Sequence, residues 1–370
     1  MASDSDRLRA LKAFDNTKAG VKGLVDTGVT TITSIFHHPL PLHHLHADHE
    51  HHFTIPVINL AAAMGATTTT TPSERAELVT AVKVAAEMVG FFQVVNHGVP
   101  KAAMSEMLAA LRGFHEEPAK AKAPYYSRDS RRRVRYQSNF DLFRSPAANW
   151  HDTLFMETAP ESTPPEEIPP ACRTIAPKYM RLVQQLGRTL LELLSKALGL
   201  RREHLEEDAA CLEGLASHYY PSCPEPHLTL GTTAHSDPCF LTVVLQDAVG
   251  GFQVLVDGLQ EDDKKMSDVV WVDVPAVAGV LVVNVGDFLQ LVSNSKFRSV
   301  EHRMVAKSVR PRVFVACFFR RQGAATSTRV LQPIVTNGEA RYRSTTMAEL
   351  VWRYRAKGLD SNSLLQHLRL

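Results

Sequence analysis

The feature that most constrains the fold is a succession of short apolar segments in the second half of the chain, separated by Gly, Pro, Asp or Asn. Many short strands at near-regular spacing are typical of antiparallel sandwiches and barrels such as the jelly roll. The sequence therefore predicts a β-rich domain after Leu215. The predicted strands cover residues 241–246, 252–256, 270–274, 280–285, 289–292 and 313–319.

Helices are predicted on both sides of this domain. Thr71, Pro72 and Glu74 have the pattern of an N-cap, a first helical residue and a capping box, and a helix should run from them to about Gly90. Residues 55–60 and 91–95 are predicted as strands, and residues 175–198 and 347–357 as helices, the last of which ends at Gly358. The expected fold class is mainly β with flanking α: a jelly-roll core, an N-terminal α/β region and a C-terminal helix.

The chain divides into four predicted segments. Residues 1–54 form an N-terminal extension with a short helix near 6–14 and a His-rich tract at 37–52, which has eight of the seventeen histidines. We interpret the tract as a solvated linker, although it could bind metal adventitiously. The other segments are an α/β region at 55–214, the jelly-roll domain at 215–322 and a helical segment at 323–370.

Composition narrows the class of protein. The formal net charge is only +2, which favours neither nucleic acid nor an acidic membrane as partner. We find no apolar run long enough to cross a bilayer, and the polar N-terminus lacks the apolar core of a secretory signal. Five scattered cysteines without a CxxC pair argue against a disulfide framework or a thiolate zinc site. We expect a cytoplasmic, monomeric protein that acts on a small molecule.

A metal site is predicted in the β-rich domain. His235 and Asp237 are two residues apart, a spacing that places both side chains on one face of an extended chain. His302, at the start of another predicted strand, is the best candidate for a third ligand. Two imidazoles and one carboxylate form the facial triad of non-haem Fe(II) oxygenases, which leaves adjacent coordination positions open. Taken alone, His235 could equally be a hydrogen-bonded histidine of the sheet.

A second candidate group binds an anion. Arg312 emerges from an apolar predicted strand, where a guanidinium needs a negatively charged partner. The 5-carboxylate of 2-oxoglutarate is such a partner, because arginine holds carboxylates in bidentate geometry. Tyr220 could add a hydroxyl to the same carboxylate. The alternatives are an internal Asp or Glu partner for Arg312 and a core position for Tyr220.

Longer motifs extend over most of the chain. They are IPVINL (55–60), GFFQVVNHGV (90–99), HYYPSCPEPHLTLGTTAHSDPCFLTVVLQD (218–247), GGFQVLVDG (250–258), VVNVGDFLQLVSN (282–294), FRSVEHRM (297–304) and KGLD (357–360). With these motifs the chain resembles the plant 2-oxoglutarate/Fe(II)-dependent dioxygenases over about residues 10 to 370. Segments 13–36 and 136–155 resemble the desacetoxyvindoline 4-hydroxylase-like subgroup, whose members are often labelled 1-aminocyclopropane-1-carboxylate oxidase homologues. Grass benzoxazinoid-glucoside dioxygenases look similar in the same segments.

The resemblance implies a core double-stranded β-helix and a set of site residues. It assigns His235, Asp237 and His302 to Fe(II), and Arg312 and Tyr220 to 2-oxoglutarate. Phe318 falls where the family often places an aromatic ring against the substrate. The implied reaction consumes O₂ and 2-oxoglutarate, with ascorbate as reductant, and releases succinate and CO₂ as the substrate is hydroxylated.

The chain departs from the family pattern at three positions. The serine of the usual R-x-S motif is Phe314, so one hydrogen bond to the co-substrate carboxylate is lost, worth about 1.5–3 kcal/mol. The usual asparagine of the NYYPxCP motif is His218. The tryptophan often found before GFF is Val89, which we interpret as a packing change.

The predicted substrate pocket is aromatic, with Phe318, Tyr136, Phe140 and Phe143 as its expected lining. This composition favours a flat, partly aromatic substrate, such as an alkaloid, a benzoxazinoid glucoside, an indoleamine such as melatonin, or a flavonoid. The same residues could instead belong to the core. Two other functions remain open: an ethylene-forming enzyme of the 1-aminocyclopropane-1-carboxylate oxidase type, and a degenerate jelly roll that binds metal or ligand without turnover.

Overall fold

A computed structural model describes residues 4–39, 53–65, 71–158, 163–209, 212–257, 269–321, 323, 325–336, 338–359 and 364–370. The helices are α1 Asp4–Asn16, α2 Gly20–Asp26, α3 Pro72–Met88, α4 Lys101–Glu116, α5 Ala119–Lys122, α6 Ile175–Ala197, α7 Glu206–Ala209, α8 Asp287–Val292 and α9 Met347–Lys357. The strands are β1 Val57–Asn59, β2 Phe91–Val95, β3 Val134–Ser138, β4 Asp152–Glu157, β5 Leu212–Tyr220, β6 Leu230–His235, β7 Leu241–Gln246, β8 Phe252–Asp257, β9 Val269–Asp273, β10 Leu281–Val285, β11 His302–Val305, β12 Arg312–Phe319, β13 Val330–Leu331 and β14 Thr345–Thr346.

Two sheets form the core. The larger has eight strands in the order β1-β2-β10-β7-β12-β5-β4-β3, and the smaller has four in the order β6-β11-β8-β9. From β5 to β12 the chain passes back and forth between the two sheets, with β8 and β9 as consecutive strands of the smaller one, as in a double-stranded β-helix. All ladders in these sheets are antiparallel except the β1–β2 pair. The predicted mainly β jelly-roll fold with flanking helices is confirmed.

Helices α3, α4 and α6 cover the larger sheet. The capping box predicted for α3 is present, with the Thr71 side chain accepting from the Glu74 amide and the Glu74 carboxylate accepting from the Thr71 amide. Helix α6 packs closely on β12, because a Cβ added at Gly187 would lie 2.0 Å from the Phe319 ring. These helices shield one face of the larger sheet, so its other face is available for a site.

One predicted strand is wrong. Residues 289–292 belong to helix α8, which begins after Gly286 and has Asp287 in its first turn. Leu289, Leu291 and Val292 are all buried, so the segment shows no alternation that would distinguish a strand from a short helix. The other predicted strands and the helices near 6–14, 175–198 and 347–357 are present, with bounds shifted by a few residues at most.

The N-terminal extension packs on the jelly roll. Phe36 lies edge-on to Trp150 with 5.0 Å between ring centroids, and Leu11 and Phe14 join the same buried cluster. The backbone amides of Val21 and Lys22 donate to the Asp152 carboxylate at 2.8 and 2.9 Å. The extension is therefore part of the folded unit.

The predicted solvated linker over the His-rich tract lies largely outside the described residues, which resume at 53. The four segment boundaries stay a prediction. Among the helices that the structure describes, none has the length and hydrophobicity needed to span a bilayer.

Candidate active site

The two predicted histidine ligands meet across a strand ladder. His302 at the start of β11 pairs with His235 at the end of β6, and Asp237 follows two residues later. Both imidazole Nε2 atoms lie 3.7 Å from Asp237 Oδ1, and the ring centroids are 4.3 Å apart. We call His235, Asp237 and His302 the metal triad. One potential donor atom from each lies within 4.8 Å of the other two.

Neighbouring groups orient the metal triad. His235 Nδ1 donates to the Thr233 carbonyl oxygen at 2.8 Å, which leaves its Nε2 lone pair free to bind a metal. Asp237 Oδ2 accepts from Thr242 Oγ1 at 2.5 Å and Asn284 Nδ2 at 2.9 Å, so Oδ1 faces the imidazoles. Such supporting hydrogen bonds are typical of metal sites.

The protonation states also suit a metal. Burial opposes ionisation of Asp237, but His302, His235 and two hydrogen bonds outweigh it and lower the pKa of this carboxyl. Burial and the neighbouring His235 lower the pKa of His302 to about 4. At neutral pH His302 is therefore a neutral imidazole beside an ionised carboxylate, and metal ligands need these forms. Two nitrogens and one carboxylate oxygen on one side of the site fit Fe(II) as a facial triad.

The metal triad opens into a cavity of about 460 Å³. This volume is within the range of sites that enclose a small organic molecule. Phe140, Phe143 and Phe318 lie in its wall, and Phe140 stacks on Tyr354 of α9 at 5.5 Å. Aromatic residues that the sequence did not point to complete the wall, namely Phe155, Phe252 and Tyr354.

The prediction that Tyr136 lines the pocket is wrong. Its ring is fully buried beside Phe114, and its hydroxyl donates to Asp152 at 3.0 Å. Side chains alternate along β3, so Arg135 and Gln137 face the cavity while Tyr136 points to the opposite side. The sequence alone does not show the register of β3, which decides the face on which Tyr136 lies.

The predicted anion-binding residues lie side by side. Arg312 on β12 pairs with Tyr220 on β5, and the Tyr220 hydroxyl lies 3.0 Å from Thr232 Oγ1. We call Arg312, Tyr220, Thr232, Met304 and Phe314 the Arg312 cluster. The cavity wall includes every member except Arg312. The Arg312 guanidinium lies behind Met304 as seen from the cavity, and it contacts the Met304 sulfur.

Among the described residues, the carboxylate within ion-pair distance of Arg312 is that of Asp247, which is paired more closely, at 2.8 Å, with Arg112. Arg312 donates to the Gly250 carbonyl, to Met304 Sδ and to Gln246 Oε1, the last at 2.8 Å. Its Nε has no hydrogen-bond partner among the described residues, and the Asp247 carboxylate is 3.9 Å away. Burial lowers the pKa of Arg312 to about 10, so the group is still a cation at neutral pH. A buried cation in this state fits an incoming carboxylate.

Two of the three departures from the family motifs, Phe314 and His218, touch this region. The Phe314 ring lies edge-on to Phe252 at 5.1 Å, and its centroid is 5.3 Å from Arg312 Cζ. His218 lines the cavity, with Nδ1 2.9 Å from Thr153 Oγ1. Burial, reinforced by nearby histidines, holds the pKa of His218 well below its usual value.

Two family models match the chain. One, described as the 2OG-Fe(II) oxygenase superfamily, covers residues 211–321, and the other, a non-haem dioxygenase N-terminal region named for morphine synthesis, covers residues 55–176. The chain belongs to the family of plant 2-oxoglutarate/Fe(II)-dependent dioxygenases. It is thus an enzyme of the oxidoreductase class whose metal is iron.

Relatives are similar along the whole chain. The Arabidopsis thaliana protein "1-aminocyclopropane-1-carboxylate oxidase homolog 1" is 47% identical over 99% of this chain and 97% of its own length. Deacetoxyvindoline 4-hydroxylase of Catharanthus roseus is 41% identical over 100% of this chain and 90% of its own. Among solved structures, that of JOX2 with 2OG, Fe and JA has a TM-score of 0.76 and 26% identity, covering 95% of this chain and 97% of the other.

Proposed function

We propose that this enzyme hydroxylates a small, partly aromatic plant specialised metabolite and converts 2-oxoglutarate to succinate and CO₂ in the process. The observation that supports this most is the metal triad at the wall of a cavity rich in aromatic side chains. The aromatic side chains of this wall limit the access of water to the reacting atoms, which suppresses side reactions.

In this proposal His235, Asp237 and His302 bind Fe(II). When bound, the iron supplies the activation of O₂ that the hydroxylation needs, with ascorbate as the reductant that keeps it ferrous. The protein's part is geometric. Thr242 and Asn284 hold Asp237, so its second oxygen stays directed at the metal position.

The Arg312 cluster would hold the 5-carboxylate of 2-oxoglutarate. The Tyr220 and Thr232 hydroxyls already face the cavity, whereas Arg312 lies behind Met304 and Phe314. Methionine is unbranched and changes rotamer easily, so displacing Met304 to expose the guanidinium costs little. Phe314 cannot replace the serine hydroxyl that the family usually provides at this position.

The substrate candidates are alkaloids, benzoxazinoid glucosides, indoleamines such as melatonin, and flavonoids. Phe140, Phe143 and Phe318 in the cavity wall favour a flat molecule with a ring system. Two relatives lend support, because one is named for 4-hydroxylation of deacetoxyvindoline and JOX2 has been solved with JA.

A test is to supply the full-length enzyme with Fe(II), ascorbate, O₂ and 2-oxoglutarate, and to quantify succinate across a panel of plant aromatic metabolites. We expect one compound class to raise succinate in the wild type and to have no effect in His235→Ala. A hydroxylated product in equal amount must accompany the succinate. Absence of any succinate above the variant's background, with correct iron content, would argue against the proposal.

Phe314 beside Arg312 favours two second candidates. One is a degenerate jelly roll that binds ligand without turnover, and the other is ethylene formation without 2-oxoglutarate. Anaerobic titration with 2-oxoglutarate separates both candidates from the proposed function, because the charge-transfer band of the Fe(II) complex appears only if the co-substrate binds the metal. Ethylene released from 1-aminocyclopropane-1-carboxylate would identify the second case.

A further inference from the structure

The cavity wall has an unusual charge balance. Its cations are the arginines at positions 128, 135, 144, 303, 320 and 355, while Asp141 and Asp237 are the only carboxylates that the described residues contribute to it. Asp237 belongs to the metal triad, so it does not balance these charges. An enzyme for neutral aromatic compounds would not need six guanidinium groups around its substrate.

Most of these arginines are engaged. Arg128 lies 2.8 Å from the Asp15 carboxylate, and Arg303 donates to Gln253 and covers the Trp271 ring. On β3, Arg135 lies 3.4 Å from Glu157 Oε1. Arg144 is exposed to solvent.

Arg320 forms an ion pair with Glu213. Near it lies Arg355 on α9, whose guanidinium forms no hydrogen bond or ion pair with any residue in the described ranges. We call Arg135, Arg320, Arg355, Glu157 and Glu213 the Arg355 cluster. Its three cations and two anions leave one positive charge, and the unpaired member is Arg355.

The position of Arg355 in the fold disfavours the charged form of its guanidinium. It is partly buried, and burial, followed by repulsion from Arg320, lowers its pKa. Glu213 and Glu157 act in the other direction, but their ion pairs are with Arg320 and Arg135. A partly buried cation without a bound anion is costly to keep, and a ligand that supplies the anion recovers that cost.

Aromatic side chains line the same cavity as Arg355. Phe155 is covered by the Arg135 guanidinium at 4.0 Å, and Phe318 and Tyr354 line the same cavity. A ligand that fills this space therefore needs a hydrophobic, partly aromatic body with one anionic group. Because the excess charge of the cluster is a single unit, a monoanion matches it better than a phosphate dianion.

We propose that Arg355 binds a carboxylate of the substrate, so that the enzyme acts on a partly aromatic carboxylic acid. This inference rests on the proposed function and names its substrate class. It disfavours every candidate above that has no carboxylate, amine-bearing alkaloids most of all, because a cation or a neutral group would leave Arg355 unpaired.

Equilibrium dialysis of a matched pair of probes tests the proposal. The probes are 2-naphthylacetate and its neutral amide, 2-naphthylacetamide, added to the full-length enzyme with Fe(II) and 2-oxoglutarate in the absence of oxygen. In the wild type we expect the acid to bind about ten- to a hundredfold more tightly than the amide, since one charge-assisted contact is at stake.

Three variants complete the test. Arg355→Gln should abolish the preference and leave amide binding unchanged, which also shows that the variant is folded. Arg355→Lys should keep most of the preference. Arg353→Gln is the matched control, because Arg353 lies on the same helix, pairs with Glu349 and is outside the cavity wall. It should not alter the preference.

Three outcomes would overturn the proposal. The wild type could bind acid and amide equally, it could fail to bind the acid detectably, or the preference for the acid could survive in Arg355→Gln. The same dialysis is repeated with Fe(II) alone. If wild-type enzyme fails to bind 2-oxoglutarate but still prefers the acid, the proposed function fails while the role of Arg355 stands. If it binds 2-oxoglutarate normally but does not prefer the acid, the role of Arg355 fails while the proposed function stands.

Discussion

The metal triad and the Arg312 cluster are built in different ways within one cavity. The metal triad depends on backbone register, because the pairing of His302 with His235 sets their separation and Asp237 follows in the chain. The Arg312 cluster depends on side-chain packing, because Met304 and Phe314 decide how far Arg312 is from the cavity. A site set by register keeps its geometry as long as the ladder forms. A site set by packing can be remodelled by one substitution, and Phe314, one of the three departures from the family motifs, lies there.

The largest expected effect is at the metal triad. Asp237→Ala removes the carboxylate of the metal triad and leaves only its two imidazoles, so Fe(II) affinity and turnover should each fall by at least about a hundredfold. Titration with Mn(II) checks the affinity, and the His-rich tract contributes equally to both proteins in that comparison. Retained substrate oxidation in Asp237→Ala would show that the metal binds elsewhere.

The next effect concerns Arg312. Arg312→Ala should raise the 2-oxoglutarate concentration needed for half-maximal rate by about a hundredfold, because a charge-assisted bidentate contact is lost. Arg310→Ala is the control, since Arg310 lies two residues earlier and is exposed. An unchanged 2-oxoglutarate requirement would mean that Met304 and Phe314 keep Arg312 out of the cavity and that Tyr220 acts without it.

Phe314 gives a smaller effect of opposite sign. Phe314→Ser restores the hydroxyl of the usual motif and opens the path to Arg312, so 2-oxoglutarate affinity should rise about tenfold. Phe314→Leu reduces the ring without adding a hydroxyl and should gain much less. If both variants bind 2-oxoglutarate as the wild type does, the cluster is not limited by this residue.

The smallest effect concerns His218 and pH. Its folded-state pKa lies well below the unfolded value near 6.5, so only the unfolded chain takes up this proton as the pH falls below 6.5. His218 therefore lowers the free energy of unfolding on the acid side, by about 1.4 kcal/mol at pH 5.5 relative to pH 8.

His218→Asn should remove that portion of the pH dependence. Denaturant unfolding at pH 8 and pH 5.5 measures it, and the wild type serves as the reference for all other titrating groups. Parallel curves for the two proteins would show that His218 is protonated in the folded state as well.

Sequence patterns predicted much of the fold. The capping box at Thr71 and strands β7 to β10 and β12 needed only local spacing, whereas β5 and β6 of the jelly roll were not predicted. Residues 289–292 failed, since an apolar run that is buried on every side has the same appearance in a helix and a strand. The prediction that Tyr136 lines the pocket failed for a related reason. The aromatic character of Tyr136 is visible in the sequence, but the face of β3 on which it lies depends on pairing with β4.

Residue types and their spacing predicted the chemical character of the site. His235-x-Asp237 with a later His302 predicts a metal, and an arginine in an apolar strand predicts an anion. The composition of the rest of the cavity was not readable in this way. Arg135, Arg320 and Arg355 are far apart in the chain, and nothing local marks Arg355 as the one without a partner among the described residues. Charge pairing is a property of distances between side chains, and those exist only once β3, β12 and α9 have packed together.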